Sequence, residues 1–278
     1  MKSNEPSRTA IMVARQRAAH QLLDHGAVFS DPYAVRILGE HEQDVSQAFK
    51  NHPVAGVGRL FTAARSRIAE DALSKSVARG VPQVVILGAG LDTFALRNPH
   101  AARITIFEVD HPATQAWKRR LLADAELPLP PWLTFVPVDF EQDDLQQKLG
   151  DAGFRRTAEA FFTWLGVVPY LTKKAIDDTL AYIASIPNSE VVFDYAEPPE
   201  NWSEEWRAMA AARLAQLEKI GEQSVARLDP AAVATILHSL GFGAVENTSF
   251  QQIVSRFGHH IQGLPPGRAG LHIVHAKH

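Results

Sequence analysis

The stretch VVILGAGLDTFALR, Val84 to Arg97, decides the fold. Four apolar residues run into Gly88-Ala89-Gly90, and a helical pattern follows. Strand, glycine turn and helix together form the first unit of a doubly wound sheet. The glycines let a ligand approach the backbone, and the helix N-terminus offers the positive end of its dipole. The dinucleotide fingerprint G-x-G-x-x-G is incomplete, because Thr93 replaces the third glycine. Asp92 stands at the helix start, where a carboxylate caps the helix but repels a pyrophosphate. The turn therefore reads as a tight, Asp-capped turn or as the seat of a cationic ligand. S-adenosylmethionine carries a sulfonium and an ammonium and no phosphate, and Gly88, Ala89, Gly90 and Asp92 would meet it.

On either side of this unit the pattern differs. Before it, Thr9–Leu23 and Arg59–Ala78 have helical periodicity, the second ended by Gly80, and Ser30-Asp31-Pro32 reads as a helix start. After it, short apolar runs alternate with helices. The strand candidates are 83–87, 103–109, 133–138, 159–165 and 190–195, with helices near 111–123, 143–149 and 173–184. Near-continuous apolar strands, each followed by a helix, predict a parallel sheet covered on both faces. A helix capped by Asp229-Pro230 and strands near 244–247 and 271–276 complete it. The expected organisation is a helical extension over 1–80 and a sheet domain over 81–278. Within the latter, residues 200–228 form a helical insertion placed to lid a pocket.

Two further strands end in acids. IFEVDHP, Ile104 to Pro112, places Glu108 and Asp110 at the end of the second strand, and Asp110 lies 20 residues beyond Gly90. That is the spacing at which an acid in such folds accepts ribose hydroxyls, with Asp110 ahead of Glu108; the alternative is a cap for the helix at Pro112. FVPVDF, Phe135 to Phe140, ends the third strand in Asp139. Asp139 would accept from an adenine amino group and Phe140 would cover the ring; the alternative is a cap for a helix over 141–149. Ligands of open sheets bind beyond the carboxyl ends of strands, and here acids arrive at several neighbouring ends.

The bulk numbers narrow the classes. The 278 residues are 46% hydrophobic, enough for a sizeable core. Net charge is −3 with no basic stripe, which argues against nucleic acid. Cysteine is absent, which excludes disulfides, thiol nucleophiles and cysteine-ligated zinc. The 12 histidines are scattered without a metal-ligand pattern. No apolar run reaches the ~20 residues that span a bilayer, and the N-terminus lacks a signal-peptide pattern, so the expected location is the cytoplasm.

With these residues in view, the chain resembles the leucine carboxyl methyltransferase family, and within it the bacterial branch associated with polyketide O-methylation. The segments that carry the resemblance are TAIMVARQRA, FSDPYA, AARSRIAEDAL, VVILGAGLDT, FEVDHP, VPVDF and WLGVVPYLT, in that order. It implies a class I methyltransferase sheet, mostly parallel with an antiparallel last strand, an N-terminal helical extension, and S-adenosylmethionine as cofactor. It further implies that Gly88 and Gly90 approach the cofactor, Asp110 holds its ribose, and Asp139 and Phe140 flank its adenine. Arg65 would pair with the methionyl carboxylate through two parallel hydrogen bonds. Arg17 would be a second contact; read without the family it is a surface charge. The family's acid at the end of strand four is missing, its place taken by Leu165, whose carbonyl could substitute.

Methyl transfer from a sulfonium is an in-line displacement that needs alignment and exclusion of water, with no covalent enzyme intermediate. A carboxylate acceptor needs no base, whereas a phenol or alcohol does. Candidates for a base are Tyr170, Tyr195, Glu197, His259 and His260, each equally readable as a loop or half-buried residue. Trp202, Trp206, Met209, Leu214 and Leu217 recur in the insertion at helical spacing, as packing or as a substrate box. If some of them line a pocket, as Tyr170, Tyr195 and Trp202 could, the acceptor is a bulky apolar or aromatic acid or phenol. The expected activity is O-methylation of a carboxylate or hydroxyl of a small molecule. The alternatives are methylation of a protein C-terminal carboxylate and a cofactor-binding domain without turnover. A nicotinamide-dependent oxidoreductase is disfavoured by Asp92 and Thr93.

Overall fold

The computed structural model describes residues 6–50, 55–219, 224–258, 264 and 266–278. The elements are α1 (Arg8–Leu23), α2 (Glu42–Lys50), α3 (Ala55–Arg79), β1 (Gln83–Leu87), α4 (Phe94–Arg97), β2 (Thr105–Asp110) and α5 (Pro112–Asp124). There follow β3 (Leu133–Pro137), α6 (Leu145–Asp151), β4 (Ala160–Trp164), α7 (Lys173–Ala184), β5 (Glu190–Ala196) and α8 (Glu204–Lys219). The chain closes with α9 (Pro230–Ser239), β6 (Ala244–Ser249), α10 (Phe250–Phe257) and β7 (Leu271–Lys277). The seven strands form one sheet in the order β3-β2-β1-β4-β5-β7-β6. The pairs among β1 to β5 are parallel, and β7 runs antiparallel to both β5 and β6.

Alternation along β1 divides the core. Val84 and Ile86 pack on one face with Leu60, Leu73 and Val77 of α3, and with Phe250 and Ile253 of α10. Val85 and Leu87 pack on the other with Phe162, Trp164 and Phe193, under Leu180 and Ile183 of α7 and Leu237 of α9. A third cluster joins the N-terminal helices to the sheet edge: Ala14, Ala18 and Ala19 of α1 meet Ile37, Val45, Leu91 and Leu122. Alanines on that face let α1 lie close against its neighbours.

Two expectations need correction. Ser30-Asp31-Pro32 starts no α-helix; a turn leads into a 3-10 turn over Arg36–Leu38. The Asp31 carboxylate is fully buried and engaged, accepting from Thr93 Oγ1 at 2.7 Å and from the Tyr33 amide at 3.1 Å, with Arg17 and Arg97 at 3.6 and 3.7 Å. Nor is 200–228 helical throughout. Helix α8 takes Glu204–Lys219, whereas residues 224–228 belong to no helix or strand. The Val225 and Ala226 amides donate to the Pro169 carbonyl and the Leu228 amide to that of Ala196, which ties this strap to the ends of β4 and β5.

At the opposite end of the sheet, Glu190 opens β5 and gathers partners from α3 and β7. It accepts from Ser76 Oγ at 2.8 Å and from Arg79, and lies 3.0 Å from His275 Nε2. Burial alone would raise its carboxyl, but His275, Ser76 and Arg79 outweigh it and hold it down at about 2, below the ordinary 4.5. A carboxyl depressed by folding stabilises the fold above its ordinary value and loses that effect as the pH falls toward the folded value. Glu190→Gln should therefore lower unfolding free energy at pH 7 by about 1–3 kcal/mol. Urea titrations should show the difference shrinking from pH 4.5 toward 2; a difference independent of pH contradicts this reading.

Candidate functional site

Four parallel strands end at one level, and their following turns enclose a cavity of about 360 Å³ roofed by α1 and α3. The β1 turn forms its floor. Gly88 and Ala89 both donate their amides to the Val109 carbonyl, at 2.8 and 3.0 Å, and Gly90 donates to Asp110 Oδ2. Gly88 has φ +66°, and a Cβ there would stand 2.3 Å from Val167 Cγ2 of the β4 turn. Glycine is required here both by backbone conformation and by the close approach of the two turns.

The acids take distinct places. Asp110 lies at the end of β2, its Oδ1 accepting from the His111 amide at 2.6 Å. Burial lifts its carboxyl above the ordinary Asp value, against the lowering influence of the Gly90 and His111 amides. Asp92 accepts from the Phe94 amide at 2.6 Å and faces Arg17 Nη1 at 3.4 Å. Burial opposes its ionisation too, but Arg17, Arg97 and Lys118 outweigh it and keep the carboxyl low. Asp139 accepts from the Glu141 amide and from Gln142 Nε2, both at 3.0 Å, and Phe140 follows it along the cavity wall. Asp139 is not a helix cap: α6 begins at Leu145, and Asp144 caps it.

Two arginines enter from the roof. Arg65 of α3 donates from Nη1 to Asp194 Oδ2 at 3.0 Å. Arg17 of α1 donates to the Leu91 carbonyl and pairs with Asp92 and Asp31, so its charge is engaged within the protein. Arg17 is thus 5% exposed rather than a surface charge, and it binds α1 to the glycine turn. Leu165 and Tyr170 also line the cavity.

Other expected residues lie elsewhere. Glu108 is two residues earlier on β2, on the same strand face as Asp110 but one step deeper. It is buried against Lys118 of α5, Oε2 to Nζ 2.5 Å, and is not part of the cavity lining. Burial raises its carboxyl despite Lys118. Tyr195 is also outside the lining: its hydroxyl accepts from Asn247 Nδ2 at 2.9 Å, its ring stacks on His272, and burial pushes its phenol up to about 12. Glu197 is consumed by His272, Arg268 and Asn201. Trp202 donates to the Glu197 carbonyl at 3.2 Å and packs with Met209 on the α3 side of the core, as does buried Trp206. No residue of 200–228 is in the cavity lining among the described residues. His259, His260 and the Leu217 side chain lie outside the described residues. Sequence reasoning missed Asp194, although an acid inside the apolar run VVFDYA was visible, and it missed Thr62 and Ser66, which line the cavity beside Arg65.

The profile of the family described as leucine carboxyl methyltransferase matches residues 10–184. The chain belongs to this family. The Bacillus subtilis (strain 168) protein YktD, provisionally named an S-adenosyl-L-methionine-dependent methyltransferase, is 35% identical over 71% of this chain and 73% of its own. A Mycolicibacterium vanbaalenii protein with the same class name is 32% identical over 73% of this chain and 71% of its own. Two solved structures share the fold at 14% identity. The CurJ carbon methyltransferase has a TM-score of 0.51 over 97% of this chain and 66% of its own, and a Bordetella parapertussis protein 0.50 over 97% and 95%. The fold of this chain is thus an α/β, mostly parallel seven-stranded sheet of the class I methyltransferase type.

Gly88→Ala should destabilise the protein by about 2–4 kcal/mol, adding left-handed strain to the clash with Val167. Adding Val167→Ala should recover more than 1 kcal/mol of that in urea unfolding; no recovery would mean the two turns are not in contact.

Proposed function

We propose that this leucine carboxyl methyltransferase family member transfers a methyl group from S-adenosylmethionine to an oxygen atom of a small molecule. The observation that carries this reading is the chemistry of one cavity, in which Asp92, Asp110 and Asp139 open onto the β1 glycine turn opposite Arg65. Acids at the turn suit a cation and repel a pyrophosphate, which argues against a dinucleotide. Gly88 and Gly90 line the cavity without side chains, and a Cβ at either would press on Val167 or Ala10. When bound, S-adenosylmethionine supplies a methyl group on a sulfonium, open to displacement by a nucleophilic oxygen.

The residues divide the work by position. Asp110 accepts the ribose hydroxyls, and Asp139 and Phe140 take the adenine. Arg65 pairs with the methionyl carboxylate, and the Leu165 carbonyl faces the ammonium where the family has an acid. Arg17 acts indirectly, by fixing α1 over the turn. That roof excludes water and limits the acceptor to a molecule that fits beneath it. Tyr170 lines this side of the cavity and supports an aromatic or apolar acceptor. Oxygen as the receiving atom accords with the carboxyl chemistry in the family's name.

Calorimetry with S-adenosylmethionine and with NADH tests the cofactor, and mass spectrometry after incubation with carboxylic acids and phenols tests the acceptor. Micromolar binding of S-adenosylmethionine, none of NADH, and methyl esters or ethers as products are expected. Asp110→Ala should weaken S-adenosylmethionine binding at least about thirtyfold, the effect of losing one charge-assisted hydrogen bond of about 2 kcal/mol. Because folding raises the Asp110 carboxyl, wild-type affinity should fall on acidification at a pH above the ordinary Asp value of 3.8. Binding indifferent to Asp110 would sink the geometry, and binding without product from any acceptor class would favour a domain without turnover.

A further inference from the structure

Asp194 lies near the end of β5, 3% exposed, inside the apolar run that follows Glu190. A buried carboxylate is costly unless it is paired and hydrogen-bonded. Asp194 meets that need with two donors from different elements. Oδ2 accepts from Arg65 Nη1 of α3 at 3.0 Å, and Oδ1 accepts from the Gly166 amide of the β4 turn at 2.6 Å. Gly166 has φ +74°, and a Cβ there would stand 2.7–3.0 Å from the Arg65 guanidinium. The guanidinium therefore rests against the β4 turn, and one carboxylate holds both.

Among the described residues no other acceptor takes a hydrogen bond from Arg65, and the Phe61 ring lies 6.0 Å from its guanidinium carbon. Arg65 lines the cavity, whereas Asp194 does not. The N–H groups that Asp194 leaves unused are the ones open to an anionic ligand. A guanidinium on a long side chain loses rotamer freedom when it binds a carboxylate, and a partner that holds it beforehand removes that cost.

We propose that Asp194 is a positioning residue: it aims Arg65 at the carboxylate of the cofactor's amino-acid end and fixes the β4 turn beside it. This rests on S-adenosylmethionine being the cofactor. Asp194→Asn keeps the shape but cannot accept from both Arg65 and Gly166, since one oxygen becomes a donor.

The test compares two ligands by calorimetry, with thermal unfolding as a check on folding. S-adenosylhomocysteine has the amino-acid carboxylate, and 5′-methylthioadenosine has the same nucleoside and sulfur without it. Asp194→Asn should weaken S-adenosylhomocysteine binding about tenfold and leave 5′-methylthioadenosine within twofold of wild type. Equal losses for both ligands, or no loss for S-adenosylhomocysteine, would overturn the proposal. If Asp194→Asn does not fold, the comparison of Arg65→Gln with Arg65→Gln/Asp194→Asn decides, because the double variant leaves no unpaired buried charge. Equal affinity of these two for S-adenosylhomocysteine supports action through Arg65, and a further loss in the double variant overturns it. Wild type binding neither ligand would instead overturn the cofactor reading, and this proposal with it.

Discussion

The site depends on how the β1 turn is held. The Val109 carbonyl takes two amides from Gly88 and Ala89, and Asp110 takes those of Gly90 and His111. One strand end thus fixes the turn of its neighbour and at the same time presents a carboxylate to the cavity. Gly88 permits the turn to touch Val167, so the ends of β1, β2 and β4 form one continuous floor. A side chain at Gly88 would alter the whole floor rather than one contact.

The roof is fixed by buried charges rather than by apolar packing alone. Arg17 joins α1 to Leu91, Asp92 and Asp31, and Arg97 of α4 pairs with Glu70 of α3 at 2.5 and 2.6 Å while also facing Asp31. These groups come from the N-terminal helices, the loop between them and the first sheet unit. Such pairs cost desolvation, and their known use is to select one arrangement of elements over others. Here they set α1 and α3 over the strand ends, where Arg65, Thr62 and Ser66 line the cavity. The site therefore needs the N-terminal helices as much as the sheet.

Much of this was legible in the sequence. The apolar runs at Val84, Ile106, Phe161 and Val191 each became a strand, because strands buried on both faces leave no room for polar alternation. Asp110 and Asp139 were readable because each ends such a run, and Asp92 because it stands where the helix after the glycine turn begins. Glu108 was misjudged because two acids on one strand face differ in depth, and Lys118, which covers it, lies on another element. Asp31 was misjudged because a local cap signal in Ser-Asp-Pro says nothing of Arg17, Thr93 and Arg97 arriving from elsewhere. Asp194 escaped notice for the same reason: its partners, Arg65 and Gly166, stand 129 and 28 residues away. Side chains in the 200–228 insertion gave helical spacing, but spacing alone could not separate core packing, which Trp202, Trp206 and Met209 adopt, from a pocket wall.

The central claim is that the strand ends and the two roofing helices form one site for the cationic cofactor S-adenosylmethionine. A crystal structure of the protein grown with S-adenosylhomocysteine, its reaction product, tests it most directly. The account predicts ribose hydroxyls on the Asp110 carboxylate, adenine between Asp139 and Phe140, and the amino-acid carboxylate on Arg65. A ligand bound in any other orientation, or bound outside this cavity, would contradict it.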